Sequence, residues 1–164
     1  MSKIDKKNPA SDSLVLKRMQ MLCSRQERCT SDIRKRIAGF NLSEEETDNI
    51  IDTLSKDNFI NDERYAFSFV HDKFSFNKWG KIKIGYGLKL KGISKAYISK
   101  ALDSIDSSDY RLMLKSELMK KFKKSGSSDK LALKSKLLRF GQYRGFETEL
   151  IFDIINEILS AKGK

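Results

Sequence analysis

GKIKIGYGLKLKGISKAYISKALDSI, residues 80–105, carries apolar side chains at helical spacing on both sides of a Gly-Ile-Ser break. Ile84 and Leu88 lie one turn apart before the break, and Ile98, Ala101, Leu102 and Ile105 follow it. The stretch therefore predicts two amphipathic helices meeting at Gly92. A glycine just past a helix takes the left-handed conformation that closes the last turn. Ile93 then turns inward, and Ser94 is positioned to cap the second helix. The same order recurs about fifty residues to either side, the period of a helical repeat. Upstream it is Ile33, Ile37, Leu42, Thr47, Ile50, Ile51 and Leu54; downstream it is Leu137, Gly141, Phe146, Ile151, Ile154, Ile155 and Ile158. Thr47 and Gly141 break the apolar register. The equivalent breaks fall at Asn41 and Gly145. Ser43 with Glu46 spells a capping box, and Thr148 is the nearest hydroxyl in the last copy.

A further periodic stretch precedes each pair: Leu16, Met19 and Cys23 in 12–26, Ala66, Val70 and Phe74 in 62–75, and Leu114, Leu118 and Phe122 in 110–123. The chain thus predicts an all-α, elongated array of three tandem three-helix repeats at 12–60, 61–108 and 109–160. Flexible ends are expected at 1–11 and 161–164. Units of about fifty residues bury little surface alone and lean on their neighbours. The only proline is Pro9, valine occurs only at Val15 and Val70, and no stretch alternates as a strand would. The serine-rich segment Lys124 to Asp129 is the expected mobile joint.

The 164 residues are 39% hydrophobic and 34% charged, with a formal net charge of +11. From Lys73 to Leu102 there are lysines and no acid, and from Arg111 to Arg144 the only acids are Glu117 and Asp129. Residues 43–63 reverse the sign. Two basic segments in one small helical protein point to a polyanionic partner, either nucleic acid or an acidic protein surface. Neither a signal peptide nor an apolar span of about 20 residues is present, which predicts a soluble cytoplasmic protein. Cys23 and Cys29 read as buried or half-buried thiols in a reducing compartment.

Catalysis is not expected. In NFINDERYAFSFV, residues 58–70, Asn61 or Asp62 caps a helix, and Ile60 staples onto Tyr65 if Asn61 is the cap. Asp62 and Glu63 then fill a first turn, where negative charge suits the dipole. His71, the sole histidine, reads as a partly exposed helix residue, with packing or phosphate contact as alternatives. No zinc set, other metal site or cofactor motif is evident. GKIKIGYG lacks the lysine–hydroxyl ending of a phosphate loop. Its Gly85 and Gly87 serve close helix packing or a close partner.

The candidate binding residues are cations away from the apolar stripes. In the second repeat they are Lys78, Lys81, Lys83, Lys89 and Lys100. In the third they are Lys120, Lys121, Lys123 and Lys124 at a helix end, then Lys134, Lys136, Arg139 and Arg144. Trp79 is a candidate for stacking on an unpaired base, against the alternative of loop packing. No arginine is placed for a bidentate base contact, so DNA binding would be sequence-nonspecific and salt-dependent. The acidic first repeat would face away from phosphate or touch a protein.

Three segments resemble the RecX family, regulators of the RecA recombinase: FINDERYAFSFV (59–70), GKIKIGYGLKLKGISKAYISKAL (80–102) and LLRFGQYRGFETELI (137–151). SDIRKRI (31–37) resembles it more weakly. The family's structural motif falls on Asp62, Arg64, Tyr65, Ala66, Gly92, Ile93, Gly145 and Phe146. Asn41, Thr47 and Gly141 depart from it. The resemblance implies a curved array lying along a RecA filament on single-stranded DNA. It also implies modulation, most often inhibition, of recombinase, ATPase and co-protease activities, with DNA-backbone contacts. Arg64 and Tyr65 would join repeats, Arg64 pairing with a neighbouring acid, and the protein would act as a monomer without cofactors. The residues taken alone also admit a stand-alone DNA-binding module or a helical scaffold for an acidic protein.

Overall fold

The computed structural model describes residues 9–125 and 129–161, and all the regular secondary structure among them is helical. The helices are α1 (Pro9–Arg25), α2 (Thr30–Ile37), α3 (Glu44–Lys56), α4 (Asp62–Ser75), α5 (Lys81–Leu90), α6 (Lys95–Asp103), α7 (Ser107–Lys123), α8 (Lys130–Arg144) and α9 (Thr148–Ser160). A short 3-10 turn, Ala38–Phe40, extends α2. They form repeating three-helix sets, α1 to α3, α4 to α6 and α7 to α9.

All three breaks between second and third helices use the left-handed backbone: Asn41 at φ 58°, Gly92 at 74° and Gly145 at 86°. After Gly145 the closure is a Schellman pair, Phe146 N–H donating to the Gly141 carbonyl at 3.1 Å and Gly145 N–H to that of Gln142 at 2.9 Å. Ser43 and Glu46 form the reciprocal capping box, and the Ser94 hydroxyl accepts from Tyr97 N–H. The last copy differs from expectation. Glu147, not Thr148, holds the N-cap position of α9 without a side-chain cap bond. The Thr148 hydroxyl accepts instead from the Gln142 amide at 3.2 Å.

Helix α1 begins at Pro9, inside the segment expected to be flexible. Proline suits a first turn, where no backbone donor is needed. Residues 1–8 and 162–164, and the centre of the expected joint at 126–128, lie outside the described residues.

The chain divides into two compact units. The first runs to Tyr65 and takes in Lys91–Ile93. Its core gathers Val15, Met19, Ile33, Ile37, Ile50, Ile51, Leu54 and Ile60. Asn61 caps α4 by accepting from Arg64 N–H at 2.9 Å. That leaves Asp62, expected to serve its own helix dipole, to reach back and accept Thr30 N–H at 2.8 Å. It supplies the cap that Cys29 does not give to α2. Arg64 pairs with Glu27 at 2.6 Å and also donates to the Asn58 side chain. The Tyr65 hydroxyl is buried, which pushes its pKa up, and the nearby Cys29 and Asp32 act in the same direction.

Within the same unit Ser31 donates to the Lys91 carbonyl at 2.7 Å, and the Lys91 ammonium sits 2.7 Å from Asp32. Burial alone would raise the Asp32 pKa, but the hydrogen bonds from Lys91 and Cys29 outweigh it and hold the carboxyl below its ordinary value. A depressed folded pKa gives stability that is present above the unfolded value of about 3.9 and is lost as pH falls through the folded one. Asp32→Asn is therefore expected to lower the melting temperature at neutral pH and to leave a shallower acid decline below about pH 4. Melting curves collected across pH check both; parallel declines for the two chains would contradict the assignment.

The second unit holds Ala66–Leu90 and continues from Ser94. Ile84, Leu88, Leu114, Leu118, Leu137, Phe146, Ile151, Ile154 and Ile155 are sealed from solvent in it. Gly85 and Gly87 serve packing. A Cβ on Gly85 would touch Leu102 at 3.4 Å, and one on Gly87 would press on the Phe69 ring at 3.0 Å. Gly141, out of register in sequence, occupies the spot where Ile151 crosses, 2.8 Å from where its Cβ would stand.

Candidate nucleic-acid interface

The cations of the second unit fall into two groups. One group is spent on the fold. Gly80 N–H donates to the Arg144 carbonyl at 2.8 Å and Ile82 N–H to the Gly145 carbonyl at 3.1 Å, so the start of α5 is bonded to the end of α8. Lys81 N–H donates to the Tyr110 hydroxyl at 2.8 Å, and that hydroxyl donates to Glu147 at 2.8 Å. Burial, with Glu147 adding to it, drives the Tyr110 pKa far up, so the phenol stays a proton donor. The Lys81 ammonium lies 5.2 Å from the Tyr110 ring centre.

Lys83 lies 4.3 Å from the Tyr143 ring centre, 4.8 Å from that of Trp79, and donates to the Tyr143 carbonyl. Arg144 donates to the Asn77 carbonyl at 2.8 Å, faces Glu117 and lies over Phe140. Lys78 takes a left-handed backbone and its ammonium folds onto the Ser75 carbonyl. Lys81, Lys83 and Arg144 thus hold α5, α7 and α8 together.

Other cations have softer ties. Lys120 pairs with Glu117 at 2.8 Å, Lys121 lies over Phe140, and Lys134 lies over Phe152 while donating to Asn156. Lys100 is exposed at the end of α6. Lys89, Lys123, Lys124, Lys136 and Arg139 are exposed and have no partner among the described residues. Their heads are the ones most available to an anion. Lys123 and Lys124 also stand at the C-terminus of α7, where the helix dipole favours positive charge.

Trp79 is half-buried, its ring near Gly87 and flanked by the ammonium groups of Lys73 and Lys83 at 5.2 and 4.8 Å. An indole so placed supports cations. Lys73, absent from the sequence-derived candidates, belongs with Trp79 for that reason; no local signal marks it. Gly80 was likewise invisible, since only the fold brings Gly145 against it. His71 is exposed, 3.3 Å from Asp72 and edge-on to Phe76. Cys29 is buried and Cys23 half-buried, both free thiols. Among the described residues no group of three His, Cys, Asp or Glu is placed to hold a metal ion. No helix there is long and apolar enough to cross a membrane.

Fold and surface together define a tandem three-helix-repeat protein with lysines displayed along helix faces. Residues 61–102 match the family model described as the second three-helix domain of RecX, and residues 113–155 match that of its third three-helix domain. Regulatory protein RecX of Clostridium acetobutylicum is 32% identical over 133 residues, covering 79% of this chain and 61% of that protein. Its Clostridium botulinum counterpart is 34% identical over 113 residues, covering 67% and 52%. The chain thus spans between about half and three-fifths of the length of these curated relatives. A crystal structure of RecX from Lactobacillus salivarius superposes with a TM-score of 0.83 at 21% identity, over 92% of this chain and 97% of the other. Another crystal structure of a regulatory protein RecX gives 0.81 at 24% identity, over 90% and 72%. The chain belongs to the RecX family.

Proposed function

We propose that this chain is a cytoplasmic, monomeric regulator that binds a RecA recombinase or its filament on DNA and restrains strand exchange, ATP hydrolysis and co-protease activity. It would add sequence-nonspecific contacts to the DNA backbone and carry out no chemistry of its own. One observation carries the reading: the segments matching the two RecX domain models contain the five candidate cations left without a partner among the described residues, Lys89, Lys123, Lys124, Lys136 and Arg139. Lysines spread along helix faces suit a repeating line of phosphates or carboxylates better than a single small ligand.

The deciding experiment mixes the protein with RecA, single-stranded DNA and ATP. At stoichiometric ratios, ATP hydrolysis is expected to fall and filaments to shorten. No change in either removes the reading. Unchanged hydrolysis with retained DNA binding would favour a stand-alone DNA-binding module.

Converting Lys120, Lys121, Lys123 and Lys124 together to glutamine tests the DNA contacts. Lys120 and Lys121 already have internal partners, so about two phosphate contacts should go. The log–log salt slope should then flatten by about 1.4 on single strands and about 1.8 on duplex. The loss should be the same for unrelated sequences. A loss confined to one sequence, or an unaltered slope, would contradict backbone contact.

A further inference from the structure

The first compact unit carries a cationic site of another kind. Helix α1, helix α2 and the 3-10 turn enclose an open groove of about 340 Å³, lined by Arg18, Met21, Leu22, Arg25, Arg36 and Phe40. An adjoining hollow of about 320 Å³ shares Arg18 and Phe40 and continues over Leu14 and Val15. Leu14, Arg18, Met21 and Arg25 follow one face of α1 at helical spacing. Leu14 is 62% and Met21 59% exposed, so both apolar side chains are open to a partner. The Arg18 guanidinium lies 5.7 Å from the centre of the Phe40 ring. Arg25 and Arg36 have no partner among the described residues. Among the described residues no acidic side chain lines either hollow, although this unit contains the acid-rich α3.

We propose that this groove docks an acidic amphipathic helix of a partner protein. The partner's apolar side would lie on Leu14, Met21 and Phe40, and its carboxylates on the guanidiniums of Arg18, Arg25 and Arg36. Guanidinium forks match carboxylates in two-point geometry, and methionine adapts its shape to a partner's side chains. An apolar floor framed by charge is the usual seat of a helix in a groove. A nucleic-acid backbone would engage the arginines and leave Leu14 and Met21 with nothing to cover them. A second copy of this chain is a poor occupant: its acidic helix, α3, already buries Ile50, Ile51 and Leu54 in its own core. The inference goes beyond the recombinase reading and does not depend on it.

The test uses the whole chain and a fluorescent synthetic peptide of about 14 residues, roughly four helical turns. The peptide carries leucine at i, i+3, i+4 and i+7 and glutamate elsewhere. Anisotropy should report binding, and Arg25→Glu with Arg36→Glu should weaken it roughly tenfold. Met21→Ala should weaken it about threefold through lost apolar contact. These side chains are exposed, and circular dichroism confirms that the variants fold. If charge reversal perturbs the helices, Arg25→Gln with Arg36→Gln should still weaken binding several-fold. Undiminished binding in the variants overturns the proposal, as does equal affinity for a scrambled peptide of the same composition. So does a dodecamer oligonucleotide or a phosphatidylserine vesicle that displaces the peptide and itself depends on Arg25 and Arg36, and so does self-association through these residues.

Discussion

Gly80→Ala is expected to destabilise the second compact unit by roughly 3 kcal/mol or more, the upper end of what overpacking costs. A Cβ at Gly80 would stand 2.2 Å from the Gly145 carbonyl oxygen, 2.4 Å from its carbon and 2.5 Å from the Phe146 nitrogen. All three are backbone atoms, so no side chain can swing away. Retreat of the chain would break the bonds from Gly80 N–H to Arg144 and from Ile82 N–H to Gly145. It would also disturb the left-handed turn at Gly145, whose own Cβ position is 2.2 Å from that of Lys83. Gly39→Ala is the control, since nothing lies within 4 Å of the added carbon. Urea denaturation followed by fluorescence suits the comparison, because Trp79, the sole tryptophan, lies in the affected unit. Equal midpoints for Gly80→Ala and Gly39→Ala would show that the two backbones do not meet.

Phe146→Ala should cost about 3–5 kcal/mol, the range for a fully buried phenylalanine whose site cannot collapse. The side chain is 1% exposed, and its ring centre is 5.0 Å from that of Tyr110, which in turn lies 5.9 Å from Phe74. Tyr110 is held at its far end by Lys81 N–H and Glu147, so it cannot slide into the vacated space without losing both bonds. A stability of about 5–15 kcal/mol is usual for whole domains, so such a loss leaves little reserve. The same fluorescence-monitored denaturation measures it; a loss under about 1 kcal/mol would mean that the aromatic row repacks freely. Phe146 adjoins Gly145, so combining this change with Gly80→Ala should give less than the sum of the two effects.

Much of the local architecture was legible because it depends on neighbours in sequence. Helix closure at Asn41, Gly92 and Gly145, the capping box at Ser43 and Glu46, and the cap at Ser94 each need only a few consecutive residues. Their conformational preferences act within one turn. Burial of most of the register from Ile33 to Leu54, and of its two echoes, followed from the same short-range period, with Leu42, Ile98 and Leu102 only half-buried. Thr148 shows the limit: a hydroxyl near a helix start is a cap only if it occupies the right backbone position, and here it lies inside the helix.

The candidate interface was less legible. Charge along a sequence does not reveal which ammonium or guanidinium group will meet a carbonyl, a carboxylate or an aromatic ring. Lys83 and Arg144 found such partners, whereas Lys89, Lys123, Lys124, Lys136 and Arg139 found none among the described residues.

The order of amino acids by itself determined the helices, their caps, the left-handed breaks and the threefold recurrence, all consequences of bonds and sterics within a few residues. Tertiary structure alone decided that Gly80 must be bare, that Asp62 caps another helix, that Gly141 makes room for Ile151, and which cations the fold engages. Those outcomes rest on atoms distant in sequence meeting within a few ångströms, and the helical period carries no record of such distances.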